Sequence, residues 1–241
     1  GATGALHDAD RLRLGAMAGY DNAQSKSRSA VSGYQSRGQV HGYNLGIYGT
    51  WQQNAAAHSG AFIDSTLSYS WFDNSIKGED IGEESYKSKG ILASLAGGYS
   101  AEVATLFEST GFWLRPQAML NWQGVKGDDL TEGNGTRVRG TGENNLQSHV
   151  GVRASLRSGL EQGRSVEPYV EASWVHNTRA LGTSMNGVTI HQAGTRNAGE
   201  LKLGVDATLN ANVNLWGGVA QQLSSHSYSD TSAIAGVKVS F

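Results

Sequence analysis

Apolar side chains recur at every second position through ten separate stretches of this chain, and that period of two excludes most folds. Leu12, Leu14, Ala16, Ala18 and Tyr20 alternate with Arg11, Arg13, Gly15, Met17 and Gly19, the pattern of a strand with one apolar face. The same period returns over residues 43–51, 63–71, 91–99, 114–122, 150–156, 166–174, 201–209, 213–219 and 233–241. No long helical period competes with it. Apolar runs extend only a few residues, far short of the roughly 20 that a membrane helix needs, so helical spans are excluded. A transmembrane β-barrel is not, because half of each of its strands faces a polar lumen. At 241 residues the reading is one all-β domain over residues 1–241.

Composition removes other classes. The chain has 33 glycines, 2 prolines and no cysteine, which excludes collagen, disulfide scaffolds and zinc–cysteine modules. A formal net charge of -2 gives no electrostatic footprint for nucleic acid, so none is expected as a partner. Residues 1–10 hold neither an initiator methionine nor an apolar signal core, so the chain is expected to be a piece of a longer precursor.

The connections alternate in length. Long polar stretches (22–37, 74–84, 126–145, 177–197) take turns with shorter ones (53–59, 100–108, 158–165, 210–212). Up-and-down connectivity follows, and the asymmetry of outer-membrane barrels puts the long loops outside and the C-terminus on the periplasmic side. Residues 187–190 are read as part of a long loop. The apolar faces end in aromatic residues: Tyr20, Trp71, Trp122 and Trp174 at one end of the strands, Trp51, Tyr99 and Phe241 at the other. Two aromatic girdles around an aliphatic band suit a lipid-facing surface. A soluble β-sandwich would explain the alternation but not the clustering of aromatics at both strand ends. About 10 to 12 residues at ~3.3 Å, tilted by roughly 45°, match the ~25 Å apolar band. Pro116 and Pro168 fall inside these strands, where each removes a ladder donor.

The polar faces carry Asn44, Asp64, Arg115, Gln117, Arg153, Glu171, Glu200, Lys202, Asp206 and Lys238, which a barrel gathers into one water-filled lumen. Glycines of the same parity, among them Gly15, Gly204 and Gly236, are expected to keep that lumen wide. It suits an extended chain or one helix rather than a folded domain. The seven histidines never take metal-ligand spacing, and no G-x-S-x-G elbow or P-loop occurs, so no catalytic residue, metal or cofactor is assigned. A barrel enzyme of protease or lipase type, the alternative together with a small porin, offers only scattered candidates such as His176 and His191.

The C-terminal stretch 229–241, ending in Phe241, resembles the last strand of autotransporter translocator domains, the type V secretion β-barrels of Gram-negative bacteria. Further stretches resemble the same family, in particular its adhesins involved in diffuse adherence: 13–20 (RLGAMAGY), 48–51 (YGTW), 69–74 (YSWFDN), 115–118 (RPQA), 168–172 (PYVEA) and 214–217 (NLWG). The resemblance implies a transmembrane antiparallel up-and-down β-barrel in the outer membrane, which anchors an N-terminal passenger and takes part in moving it to the cell surface. It implies a role for Phe241 as a signal read by the barrel-assembly machinery. Relatives in the family also include some that cut their own passenger, for which no residue of this chain is assigned. Family barrels have twelve strands with a helix through the pore, against ten strands and no helix readable here.

Overall fold

The computed structural model describes residues 2–5, 9–28, 33, 35–57, 59–78, 82–106, 109–131, 135–141, 143–159, 164–180, 182–191, 196–210, 212–225 and 229–239. All ten predicted strands form. They are β2 (Arg11–Arg28), β3 (Gln35–Asn54), β4 (Ser59–Gly78), β5 (Glu84–Leu106), β6 (Thr110–Gly127), β9 (Asn145–Gly159), β10 (Ser165–Asn177), β13 (Asn197–Thr208), β14 (Val213–Leu223) and β15 (Ser229–Val239). With the short β1 (Ala2–Gly4) they make one antiparallel sheet in chain order, β1 pairing only with β2 and β15 only with β14. Among the described residues the sheet does not close on itself.

Burial is inverted relative to a soluble protein. Ile47 and Leu203 are 60% and 57% exposed, whereas Ser155 and Glu171 are 6% exposed. In a soluble sandwich those aliphatic residues would be the core. Here the apolar parity of every long strand faces outward, which is the chemistry of a wall between hydrocarbon and an aqueous interior.

Several expectations are corrected. The strands run from 11 to 23 residues rather than 10 to 12. β2 and β3 continue as a polar ladder to the pair Arg28 and Gln35, and β4 and β5 to Ile76 and Glu84. Much of what reads as loop in 22–37 and 74–84 is therefore hairpin, mostly polar on both faces apart from residues such as Ile76, and it projects past the aromatic row. Residues 126–145 and 177–197 contain a second sheet, in the order β12-β11-β8-β7, built from β7 (Leu130–Thr131), β8 (Arg137–Thr141), β11 (Gly182–Met185) and β12 (Val188–His191). The stretch 187–190 is thus the second turn residue and the returning strand of the β11–β12 hairpin. Asn186 and Gly187 hold φ of 48° and 86°, the two positive values that a two-residue type I′ turn requires.

Each proline sits where its ladder is interrupted on one side. Pro116 stands opposite Val152 of β9, while the pairing of β5 with β6 skips the positions between Gly98–Gln117 and Ala101–Leu114. Pro168 stands opposite Val205 of β13, and the ladder to β9 skips from Val166–Ser158 to Tyr169–Ser155. A missing N–H thus coincides with a missing rung.

The polar face of the wall as candidate functional site

Cross-strand register stacks the chemistry of the polar face in rows. Arg115 of β6 lies opposite Arg153 of β9, which lies opposite Glu171 of β10, which lies opposite Lys202 of β13. A neighbouring row runs Gln117, Gly151, Ser173, Glu200 and Gln222. Another runs Glu167, Asp206, Trp216 and Gly236. Alternation puts all of these on one face.

Pairing neutralises most of this charge. Arg153 Nε donates to Glu171 at 2.9 Å and Nη1 to Asp206 at 3.4 Å, with the Arg153 and Glu171 side chains only 16% and 7% exposed. Arg157 Nε donates to Glu167 at 2.8 Å, filling the rung broken at Pro168, and Ser155 Oγ donates to the other Glu167 oxygen at 2.7 Å. Gln222 holds Glu200 at 2.7 Å, and Lys202 stands 3.8 Å from the same carboxylate. Guanidiniums also stack on rings. Arg153 lies 3.8 Å over Tyr169, Arg157 4.1 Å over Trp113 and Arg115 5.3 Å over Phe62. Such contacts contribute about 0.5 to 2 kcal/mol each as they are desolvated. Arg115 Nε finds no hydrogen-bond partner among the described residues.

A cavity of about 520 Å³ opens over this face, lined by residues of seven strands from Thr50 in β3 to Asp206 in β13. It brings together Asp64, Arg115, Gln117, Arg153, Glu171, Glu200, Lys202 and Asp206. Asn44 lies apart and donates to Asp21 at 2.8 Å. Lys238 lies exposed on β15, opposite Asn214. Arg157, Glu167, Trp113, Tyr169, Phe62 and Trp216 belong to the same face but were not chosen from sequence, although their parity was there to be read.

The glycine expectation is also corrected. A Cβ on Gly204 would meet the Tyr169 ring at 2.4 Å, and one on Gly236 would meet the Trp216 ring at 2.2 Å. The space that these glycines leave is occupied by aromatic rings lying flat on the neighbouring strand.

On the outward face, Tyr20, Tyr43 and Trp71 are direct cross-strand partners with ring centroids 5.2 Å and 6.3 Å apart, and Tyr69 joins Trp71 at 6.0 Å. Trp122 and Trp174 lie exposed toward the same end of their strands, and exposed Tyr99 and half-buried Trp51 lie toward the other. Trp51 Nε1 donates to Asp10 at 3.1 Å. Phe241 lies outside the described residues. His176 bonds Asn197 at 2.8 Å and stacks on Trp174. The side chain of His191 is outside the described set.

This wall matches the family described as Autotransporter beta-domain over residues 1–220. The chain belongs to the autotransporter β-domain family. It is 40% identical over 236 residues to the autotransporter adhesin AIDA-I of Escherichia coli, covering 95% of this chain and 18% of that protein. It is 42% identical over 240 residues to the uncharacterized Escherichia coli protein YdeU, covering 96% of this chain and 52% of that one. The chain thus spans from about a fifth to about a half of the length of these relatives. The solved transport unit of AIDA-I superposes with a TM-score of 0.89 at 37% identity, over 100% of this chain and 79% of that one. As an autotransporter β-domain, the chain is an all-β translocator and anchor domain of the Gram-negative outer membrane.

Proposed function

We propose that this chain is the greater part of the barrel through which an N-terminal passenger is secreted and by which it is held at the cell surface. The observation that carries the reading is the inverted burial: an aliphatic exterior around a charged, internally paired interior. The residues Asn44, Asp64, Arg115, Gln117, Arg153, Glu171, Glu200, Lys202, Asp206 and Lys238 line the pore in this reading. Tyr20, Trp51, Trp71, Tyr99, Trp122 and Trp174 mark the two membrane interfaces. The projecting hairpins and the four-stranded sheet face the exterior, and the C-terminus faces the periplasm, where Phe241 is the residue offered to the barrel-assembly machinery. Residues 1–241 act as one domain.

Narrowing the pore tests the reading. Ala96 lies on the lining of the cavity. The replacement Ala96→Trp is expected to leave a barrel that still migrates fast in unheated SDS gels while passenger exposed to protease on intact cells falls. Undiminished surface passenger would count against passage through this lumen.

A further inference from the structure

Above the aromatic row, the outward face of β2 to β4 carries cations in direct register. Lys26 stands opposite Arg37, and Arg37 opposite Lys77. Each is six residues beyond Tyr20, Tyr43 or Trp71, an even step that keeps it on the outward face. All three are exposed, and none makes an ion pair among the described residues. Like charges directly opposite each other destabilise a strand pair, and here the arrangement occurs twice in succession. Glu83 lies just beyond the last rung of the β4–β5 ladder, Ile76 with Glu84, and forms no ion pair with Lys77. At the level of the aromatic row itself, Trp71 is opposite Lys89, and Lys89 is opposite Lys126. Lys126 pairs with Glu143 at 3.5 Å, whereas Lys89 has no ion pair among the described residues. Between the two levels, Asp73 is already taken by Lys87 at 3.5 Å and faces His41 at 4.0 Å.

Repulsion of this kind is relieved when an anion bridges the cations, and Arg and Lys bind phosphate well. The two levels lie about 20 Å apart along the strand, or roughly 14 Å along the membrane normal at a 45° tilt. A simple phospholipid places its charge at one level, beside the aromatic row. A headgroup with anionic groups on the lipid and along its sugar chain meets both. Directly below, Leu45 and Leu67 are exposed on the same face, where acyl chains would lie.

We propose that the outward face of β2 to β5 is a docking surface for a phosphorylated glycolipid of the outer leaflet, with Lys89 at the membrane interface and Lys26, Arg37 and Lys77 on its sugar-borne anions. The proposal rests on the orientation given above, with the long hairpins outside.

The precursor containing this chain, purified from outer membranes into phosphatidylethanolamine nanodiscs, is to be titrated with three lipids. These are rough lipopolysaccharide, the same glycolipid stripped of phosphate, and phosphatidylglycerol, with bound lipid counted by native mass spectrometry. The phosphorylated glycolipid is expected to bind about ten-fold more tightly than either of the others, a preference that high salt erodes. The triple change Lys26→Gln, Arg37→Gln, Lys77→Gln should abolish that preference without altering heat-modifiable migration, whereas Lys26→Arg with Lys77→Arg keeps it. The single change Arg37→Gln, at the centre of the row, should weaken it on its own. Equal affinity for wild type and triple variant, or for phosphatidylglycerol and glycolipid, overturns the proposal. Labelling of Ser25→Cys by an impermeant thiol reagent on intact cells checks the orientation separately. An unlabelled Ser25→Cys with binding preserved overturns the orientation and leaves the headgroup preference standing.

Discussion

Gly204 and Val205 are chain neighbours that meet opposite surroundings, and the contrast makes the two faces separable one residue at a time. Val205 lies outward in mid-strand, 41% exposed. Val205→Arg should cost about 2 to 4 kcal/mol in a bilayer, as a cation on the lipid face does near the midplane. Gly204→Ala acts differently, because the added methyl displaces the Tyr169 ring, which itself carries Arg153. Overpacking of this kind costs about 1 to 3 kcal/mol. In a Tyr169→Ala background the part of that penalty due to the ring should vanish, while the approach of the methyl to the Gly217 carbonyl oxygen at 2.7 Å remains; urea unfolding of the four variants in liposomes measures the coupling. Additive costs would show that ring and glycine do not compete for one space. Alternation made the face of every such residue legible. The same parity places Tyr169, Trp113 and Trp216 inward; what it did not reveal is that their rings lie against a glycine or an arginine of the neighbouring strand.

At the scale of elements, alternation located all ten long strands but misplaced their ends. Once both faces meet water, as in the β2–β3 hairpin beyond Tyr20 and Tyr43, no apolar parity remains to read, although the ladder continues to Arg28 and Gln35. The small four-stranded sheet was missed for a related reason, since strands of two to five residues carry too few positions for a period. Its one sharp local signal was Asn186-Gly187. In that sheet Arg139 of β8 donates through Nε and Nη2 to Asp129, next to β7, the shorter contact being 2.5 Å, while at the ends of β9 and β10 below it Asn145 Nδ2 donates to Asn177 at 2.7 Å and Leu146 N to Thr178 Oγ1 at 2.9 Å. The Arg139 hydrogen bonds hold the Asp129 carboxyl below its ordinary range. A depressed carboxylate contributes stability above its unfolded pKa and loses it as pH falls through the lower folded value. The amides of residues 130–131 and 137–140 should therefore stay protected from exchange through the ordinary carboxylate range and open only below it, with salt weakening the effect at this exposed site. Asp129→Asn should remove the pH dependence. A transition at the ordinary carboxylate value would break the link between this pair and the order of the sheet.

For the whole molecule the direction of the strands decides how the wall closes. The ten long strands alternate, so β15 runs opposite to β2. β1 is antiparallel to β2, with Ala2 opposite Leu14 and Gly4 opposite Leu12, and hence runs parallel to β15. An antiparallel closure cannot join these two edges directly; it needs an odd number of strands between them, and one is the smallest. Residues 15–28 of β2 also have no partner on that edge among the described residues, and the register of β1 is one that a longer strand could continue along them. Completing β1 and adding one strand gives twelve, the number that the family resemblance implied. Leaving the edges open in hydrocarbon would cost several kcal/mol per unpaired backbone group. Residues 1–241 produced alone should consequently fail to give a trypsin-resistant band that shifts on heating, whereas the same chain extended N-terminally by two strands should give one. A heat-modifiable barrel from residues 1–241 alone would mean that β15 and β2 find each other without help, and that β1 is displaced rather than extended.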